Sequence, residues 1–156
     1  DVNFVGGEML RANKRGWTWV APPGGMGVVS GEVVGIGHVL AAERGRDGER
    51  YVLNGENISH RDLLEIVSHV VGGPAPIVTI PRSLTRLGVF VGRLGRSVLG
   101  ERAPLVYTQA LMQLDLSSRF MYFDGGKAEH ALGVAYIGAR AAVREAWDWY
   151  LHHGLL

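Results

Sequence analysis

The side chains best suited to chemistry in this chain are six histidines, two lysines, a cluster of arginines in the middle and two pairs of tryptophans. The histidines are His38, His60, His69, His130, His152 and His153. They show no H-x-x-x-H or other paired-ligand spacing, and no cysteine assists them. They read as surface and helix-end imidazoles rather than a metal site. Arg82, Arg86, Arg93 and Arg96 fall on one face of a helix predicted over Ser83 to Val98, with Arg102 beyond, and no acidic residue lies between Arg82 and Gly100. Two readings compete: a contact with phosphate or an anionic membrane, or the solvated face of an amphipathic helix, the commoner case. Trp147, Trp149 and Tyr150 read as a core anchor plus one exposed ring.

Bulk properties narrow the field. With 156 residues the chain is read as one domain, able to bury roughly two-thirds of its unfolded surface. A formal net charge of +1 gives no global drive toward nucleic acid or membrane, so no nucleic-acid partner is expected. The absence of cysteine excludes disulfides and thiolate metal sites and is compatible with a reducing compartment; the location expected is cytoplasmic. Every long apolar run is broken by charge or glycine, so no membrane span is expected. The chain begins at Asp1 rather than Met, and the reading is of a fragment or trimmed product.

The elements that must position these side chains follow from local signals. Helices are predicted over Glu8–Arg15, Glu32–Arg44 (capped by Ser30), Ser59–Val71, Ser83–Val98, roughly Pro104–Leu116, a short one after Asp124, and Ala139–His152. In Glu32–Arg44 the buried stripe is Val33, Ile36 and Leu40, and Gly35 and Gly37 suggest close approach of another backbone. Short strands are expected near Val20, Val28, Tyr51 and Ile77, with Arg119–Phe123 extended. From Gly45 to Leu64 the order read is helix end with a left-handed Gly45, turn at Asp47-Gly48, strand Arg50–Leu53, turn at Asn54-Gly55, then a helix capped by Ser59 with Asp62 three residues on. The fold class is α/β.

Three segments in order carry a family resemblance. They are P-P-G-G-M-G-V-V-S-G-E-V-V-G-I-G-H-V-L-A-A-E-R-G at Pro22–Gly45, then G-E-R-Y-V-L-N-G-E-N-I-S continuing to I-V-T-I-P-R at Ile77–Arg82. The third is F-D-G-G-K-A-E-H-A-L-G at Phe123–Gly133, followed by A-W-D-W-Y at Ala146–Tyr150. From about Gly24 onward the chain resembles the C-terminal, substrate-binding part of an extended short-chain dehydrogenase/reductase of the NAD-dependent epimerase/dehydratase superfamily. It is most similar to dihydroflavonol-reductase-like and nucleotide-sugar epimerase-like enzymes. The resemblance implies a Rossmann-like parent that uses NAD or NADP on a small hydroxyl or carbonyl substrate. It also implies a dinucleotide-binding half N-terminal to this chain and allows a homodimer.

The departures from that family are specific. Gly6-Gly7 and Gly24-Gly25 are isolated pairs, not the Gly-rich dinucleotide loop. Lys14 and Lys127 are preceded four positions earlier by Leu10 and Phe123, so the family's Tyr-x-x-x-Lys is absent. S-G-E-V at Ser30–Val33 replaces a charged D-x-R-D pattern, and Gln113 and Leu114 stand near where epimerases place a diphosphate-pairing Arg, which argues against a diphosphate-linked substrate. No catalytic residue is therefore expected in this chain, no cofactor is expected to bind it alone, and catalytic inertness follows. By family position, the substrate-binding set is Trp19, Pro23, Gly25, Met26, Tyr107, Gln109 and Arg119. Trp17 and Trp19 lead into a segment that runs beside substrate in relatives, while Tyr107 to Met112 sit in the least regular part of the second half. The alternative is a stand-alone, non-catalytic binding or regulatory module derived from that half.

Overall fold

The computed structural model describes residues 5–99 and 105–155. Among these residues seven helices alternate with five short strands: α1 (Val5–Lys14), β1 (Val20–Ala21), β2 (Gly25–Val28), α2 (Gly31–Arg44), β3 (Glu56–Ser59), α3 (His60–Val71), β4 (Val78–Thr79), α4 (Arg82–Leu99), α5 (Leu105–Ser117), β5 (Phe120–Met121), α6 (Gly126–Leu132) and α7 (Ala139–His152). The α/β class stands, and each of the seven helices predicted has its counterpart. Strands β1 and β4 form a parallel pair. A separate sheet has the order β3-β2-β5, with β3 antiparallel and β5 parallel to β2.

Two apolar cores hold these elements. Leu10 of α1, Ile58 of β3, Leu63, Val67 and Val70 of α3, and Val143, Trp147 and Tyr150 of α7 make the larger. Val33 of α2 packs with Ala128, Leu132 and Val134 in the smaller, against Tyr51 and Leu53. Helix starts are set by local chemistry. The Ser30 hydroxyl accepts from the Glu32 and Val33 amides, Ser59 accepts from Asp62, and Gly72 ends α3 at φ 81°.

The stretch between α2 and α3 differs from its sequence reading in three ways. Gly45 leaves α2 at φ −65°, not in the left-handed region; it is small because a Cβ there would meet the Ala41 carbonyl oxygen at 2.3 Å. Arg50–Leu53 is not a strand. β2 is paired by β3 and β5, and the β-branched and aromatic run joins neither sheet but packs as a loop on the smaller core. Asn54-Gly55 is no turn either: Asn54 is buried and the chain runs directly into β3 at Glu56.

Gly35 and Gly37 also part company. Gly37 is pressed by the Leu53 side chain rather than a backbone, since a Cβ there would lie 2.7 Å from both methyls, whereas a Cβ at Gly35 would meet nothing within 4 Å. Ile36, expected inside, is 48 % exposed. Gly35→Ala is accordingly expected to stabilise the chain by about 0.5–1 kcal/mol, a gain of helix propensity with no clash, readable as a higher urea midpoint.

Candidate functional site

Strand β2, in the first sequence motif, is paired on one side by β3 of the second motif and on the other by β5, just before the third. The Gly24 amide donates to the Ser117 carbonyl (3.1 Å), the Gly25 amide to the Arg119 carbonyl (3.0 Å), and the His60 amide to the Gly24 carbonyl (3.0 Å). The segment leaving α5 is thereby clamped onto the P-P-G-G-M turn. The clamp needs glycine: a Cβ on Gly24 would stand 2.2 Å from the Arg119 oxygen, and one on Gly25 2.7 Å from the Tyr122 hydroxyl. Parallel pairing then sets Met26 beside Met121. Phe120 and Tyr122 meet edge to face at 5.1 Å, and the Arg82 guanidinium lies 4.4 Å from the Phe120 centroid.

The result is an exposed apolar patch on each face of the junction, Met26 with Met121 on one and Phe120 with Tyr122 on the other, with Phe123 exposed beyond them. Such a patch marks a binding or docking surface more often than a plain exterior. Its cations are engaged. Arg119 bonds the Asp115 carboxylate at 2.7 Å, and Arg93 approaches the same carboxylate at 3.6 Å. Lys127 is held by the Glu49 carboxylate and donates to the Arg50 carbonyl at 3.0 Å. The Lys127 contact draws the exposed Glu49 carboxyl below its ordinary range.

Behind the patch, Asn54 donates to the Phe123 carbonyl (2.8 Å) and to Asn57 Oδ1 (3.0 Å), and Asn57 donates to Phe123 as well (2.8 Å). Tyr136 reaches the Gly125 carbonyl at 3.3 Å, and burial raises its phenol above the ordinary range. These groups hold the loop of Phe123 to Gly125 in place. They are a buried amide (Asn54), an exposed one (Asn57) and a half-buried phenol, all held in hydrogen bonds around this loop, so they position and do not transfer protons. His60, at the start of α3, has a buried Nδ1 with no hydrogen-bond partner among the described residues. Burial lowers its pKa, opposed by the Ser117 backbone. The unfolded chain therefore takes up this proton first, so His60 contributes stability that is complete above about pH 6.5 and is lost as the pH falls below that value. A urea-midpoint profile across this range should flatten in His60→Asn.

Of the sequence-derived set, Gly25, Met26 and Arg119 come together at the β2–β5 junction, and Pro23 adjoins them in the chain. Trp19 lies elsewhere: it is exposed, and its carbonyl accepts from Ile77 beside β4. Gln109 is exposed on α5, which is a regular helix rather than an irregular segment, and the side chain of Tyr107 lies outside the described residues. Tyr122, Asn54 and Asn57 escaped sequence reasoning. The signal that could have found Tyr122 is its period-two spacing from Phe120, which becomes a shared strand face only once β5 pairs.

Among the described residues, the starts of α2, α3, α6 and α7 do not suit the pyrophosphate of a dinucleotide. A pyrophosphate needs free amides at a helix start. The Ser30 hydroxyl occupies those of α2 and itself donates to Glu145 (2.7 Å), Ser59 caps α3, Asp124 accepts from Gly126 at α6 (2.8 Å), and Glu56 accepts from Ala139 at α7 (2.7 Å). Among the described residues no cluster of His, Asp and Glu could hold a metal ion.

No family model matches the chain. It is 33 % identical over 134 residues to a putative dihydroflavonol 4-reductase of Synechocystis, covering 83 % of this chain and 38 % of that protein. It is 26 % identical over 126 residues to sterol demethylase protein B of Methylococcus capsulatus, covering 37 % of it. In structure it matches gox2253 at a TM-score of 0.81 and 32 % identity, over 98 % of this chain and 45 % of that one. A nucleoside-diphosphate-sugar epimerase of Pseudomonas aeruginosa matches at a TM-score of 0.69 and 26 % identity, with 43 % of its length covered. The chain thus spans well under half the length of the relatives it matches. In sequence and in its Rossmann-like fold, this chain is a homologue of part of the dihydroflavonol-reductase-like branch of the extended short-chain dehydrogenases/reductases.

Proposed function

We propose that this chain is the substrate-binding portion of an NAD(P)-dependent oxidoreductase or epimerase acting on a small hydroxyl or carbonyl compound. The observation that carries the reading is the β2–β5 junction, where an exposed apolar and aromatic surface is built on a glycine-dependent clamp. A substrate with an apolar body suits the face of Met26 and Met121, and the engagement of Arg119 by Asp115 leaves that arginine ill suited to a diphosphate. The nicotinamide would supply hydride chemistry from elsewhere. Here the chain's own part is to bind and orient the substrate. A dinucleotide-binding half completes the scheme: the outer edge of β1 is unpaired among the described residues, and Trp17 and Trp19 are exposed next to it.

The test is a chimaera in which this chain replaces the matching part of the Synechocystis relative. NADPH oxidation with a panel of apolar aldehydes and ketones is expected from the chimaera and not from the isolated chain. A chimaera that folds and binds NADPH yet turns over none of the panel defeats the substrate-binding role. Turnover by the isolated chain defeats the division of labour.

A further inference from the structure

Helix α4 is amphipathic, but it packs on the opposite side from its apolar arc. Thr85 and Val89 are buried, and Gly88 and Gly92 lie on the same side, against Leu114 and Leu111 of α5. A Cβ at Gly92 would lie 2.2 Å from Leu111. On the other side of the helix, Leu84, Leu87, Phe90, Val91 and Leu94 are each between 56 % and 66 % exposed. None of them enters either core. A helix of a globular protein ordinarily buries its apolar arc, so this one is turned toward a partner.

The charges identify that partner. Along one flank run Arg82, Arg86 and Arg93, with Arg96 exposed near the helix end, and the 18-residue helix carries no acidic residue. Among the described residues, Arg86 and Arg96 form no ion pair with a carboxylate, and Arg82 is stacked on Phe120. The partner must therefore be apolar over a broad front and anionic along its border. A bilayer containing anionic lipid is both: its acyl boundary takes the five apolar side chains while headgroup phosphates meet the arginines. The helix is not apolar enough to cross a membrane, so it would lie in the plane of the surface. We propose that α4 is an interfacial helix that seats this chain on anionic lipid surfaces.

The experiment is co-sedimentation of the full chain with vesicles of phosphatidylcholine alone or with about one-third phosphatidylserine, at low and high salt. Binding is expected only to the anionic vesicles and should weaken with salt. Arg86→Gln with Arg96→Gln should lower the partition coefficient about thirtyfold. Leu87→Glu with Val91→Glu should abolish binding while leaving the circular-dichroism spectrum unchanged, since both positions are exposed. A Phe90→Trp variant should show a blue-shifted emission on anionic vesicles and quenching by brominated acyl chains. The proposal is overturned if the chain ignores anionic vesicles, or if binding is indifferent to both variant pairs. It is equally overturned if the Leu87→Glu, Val91→Glu pair instead converts a dimer to a monomer, which would assign the arc to a second copy. None of these readouts depends on turnover, so failure here leaves the substrate-binding reading standing.

Discussion

Gly24→Ala is expected to destabilise the chain by about 3 kcal/mol, lowering the melting temperature by roughly 6–12 °C. A methyl at this position would lie 2.2 Å from the Arg119 oxygen and 2.5 Å from the Ser117 oxygen. Both are backbone atoms, so no rotamer can turn away. The only relief is to part β2 from the α5–β5 connection, which loses the hydrogen bonds from Gly24 and Gly25. The change should therefore do more than lower stability. The pairing of Met26 with Met121 depends on that connection, so the apolar surface proposed to take substrate should loosen as well. Amide exchange of Gly24 and Gly25 should accelerate beyond what the loss of global stability explains. Gly35→Ala is the control, the same chemical change in open space. A Gly24→Ala chain as stable as wild type would remove the clamp from the account.

The second large effect lies in the main core. Trp147→Ala should cost about 3–5 kcal/mol, a sizeable share of the stability of a domain of this size. Trp147 is 9 % exposed and packs in the cluster that joins α1, α3 and α7, with the Lys14 ammonium 5.9 Å from its ring centroid. Its neighbours Val67 and Leu63 are held on α3 and cannot collapse far into the space vacated. Trp149, two positions on, is 42 % exposed and stacks on His153 at 4.1 Å, so Trp149→Ala should cost less than about 1 kcal/mol. Urea melts of the two variants separate anchor from exposed ring. Equal losses would mean that the packing of α7 is misread.

The sequence by itself determined the helices whose signals are local. Ser30, Ser59 and Gly72 are capping residues whose side chains or backbone act within one turn, and α7 is bounded at Ala139 and His152 as its pattern requires. The family resemblance was legible for the same reason: ordered motifs survive as residue types. What the tertiary structure alone decided is pairing and facing. A strand exists only where a neighbouring segment pairs with it. That is why the apolar run Arg50–Leu53 lost the ladder to the plainer Glu56–Ser59, and why Phe120 and Tyr122 became neighbours of Gly25. Likewise the periodicity of α4 marks an apolar arc without saying what covers it. The small residues Gly88 and Gly92 let α5 approach from the other side, because close backbone packing there outweighs the larger but unmatched arc.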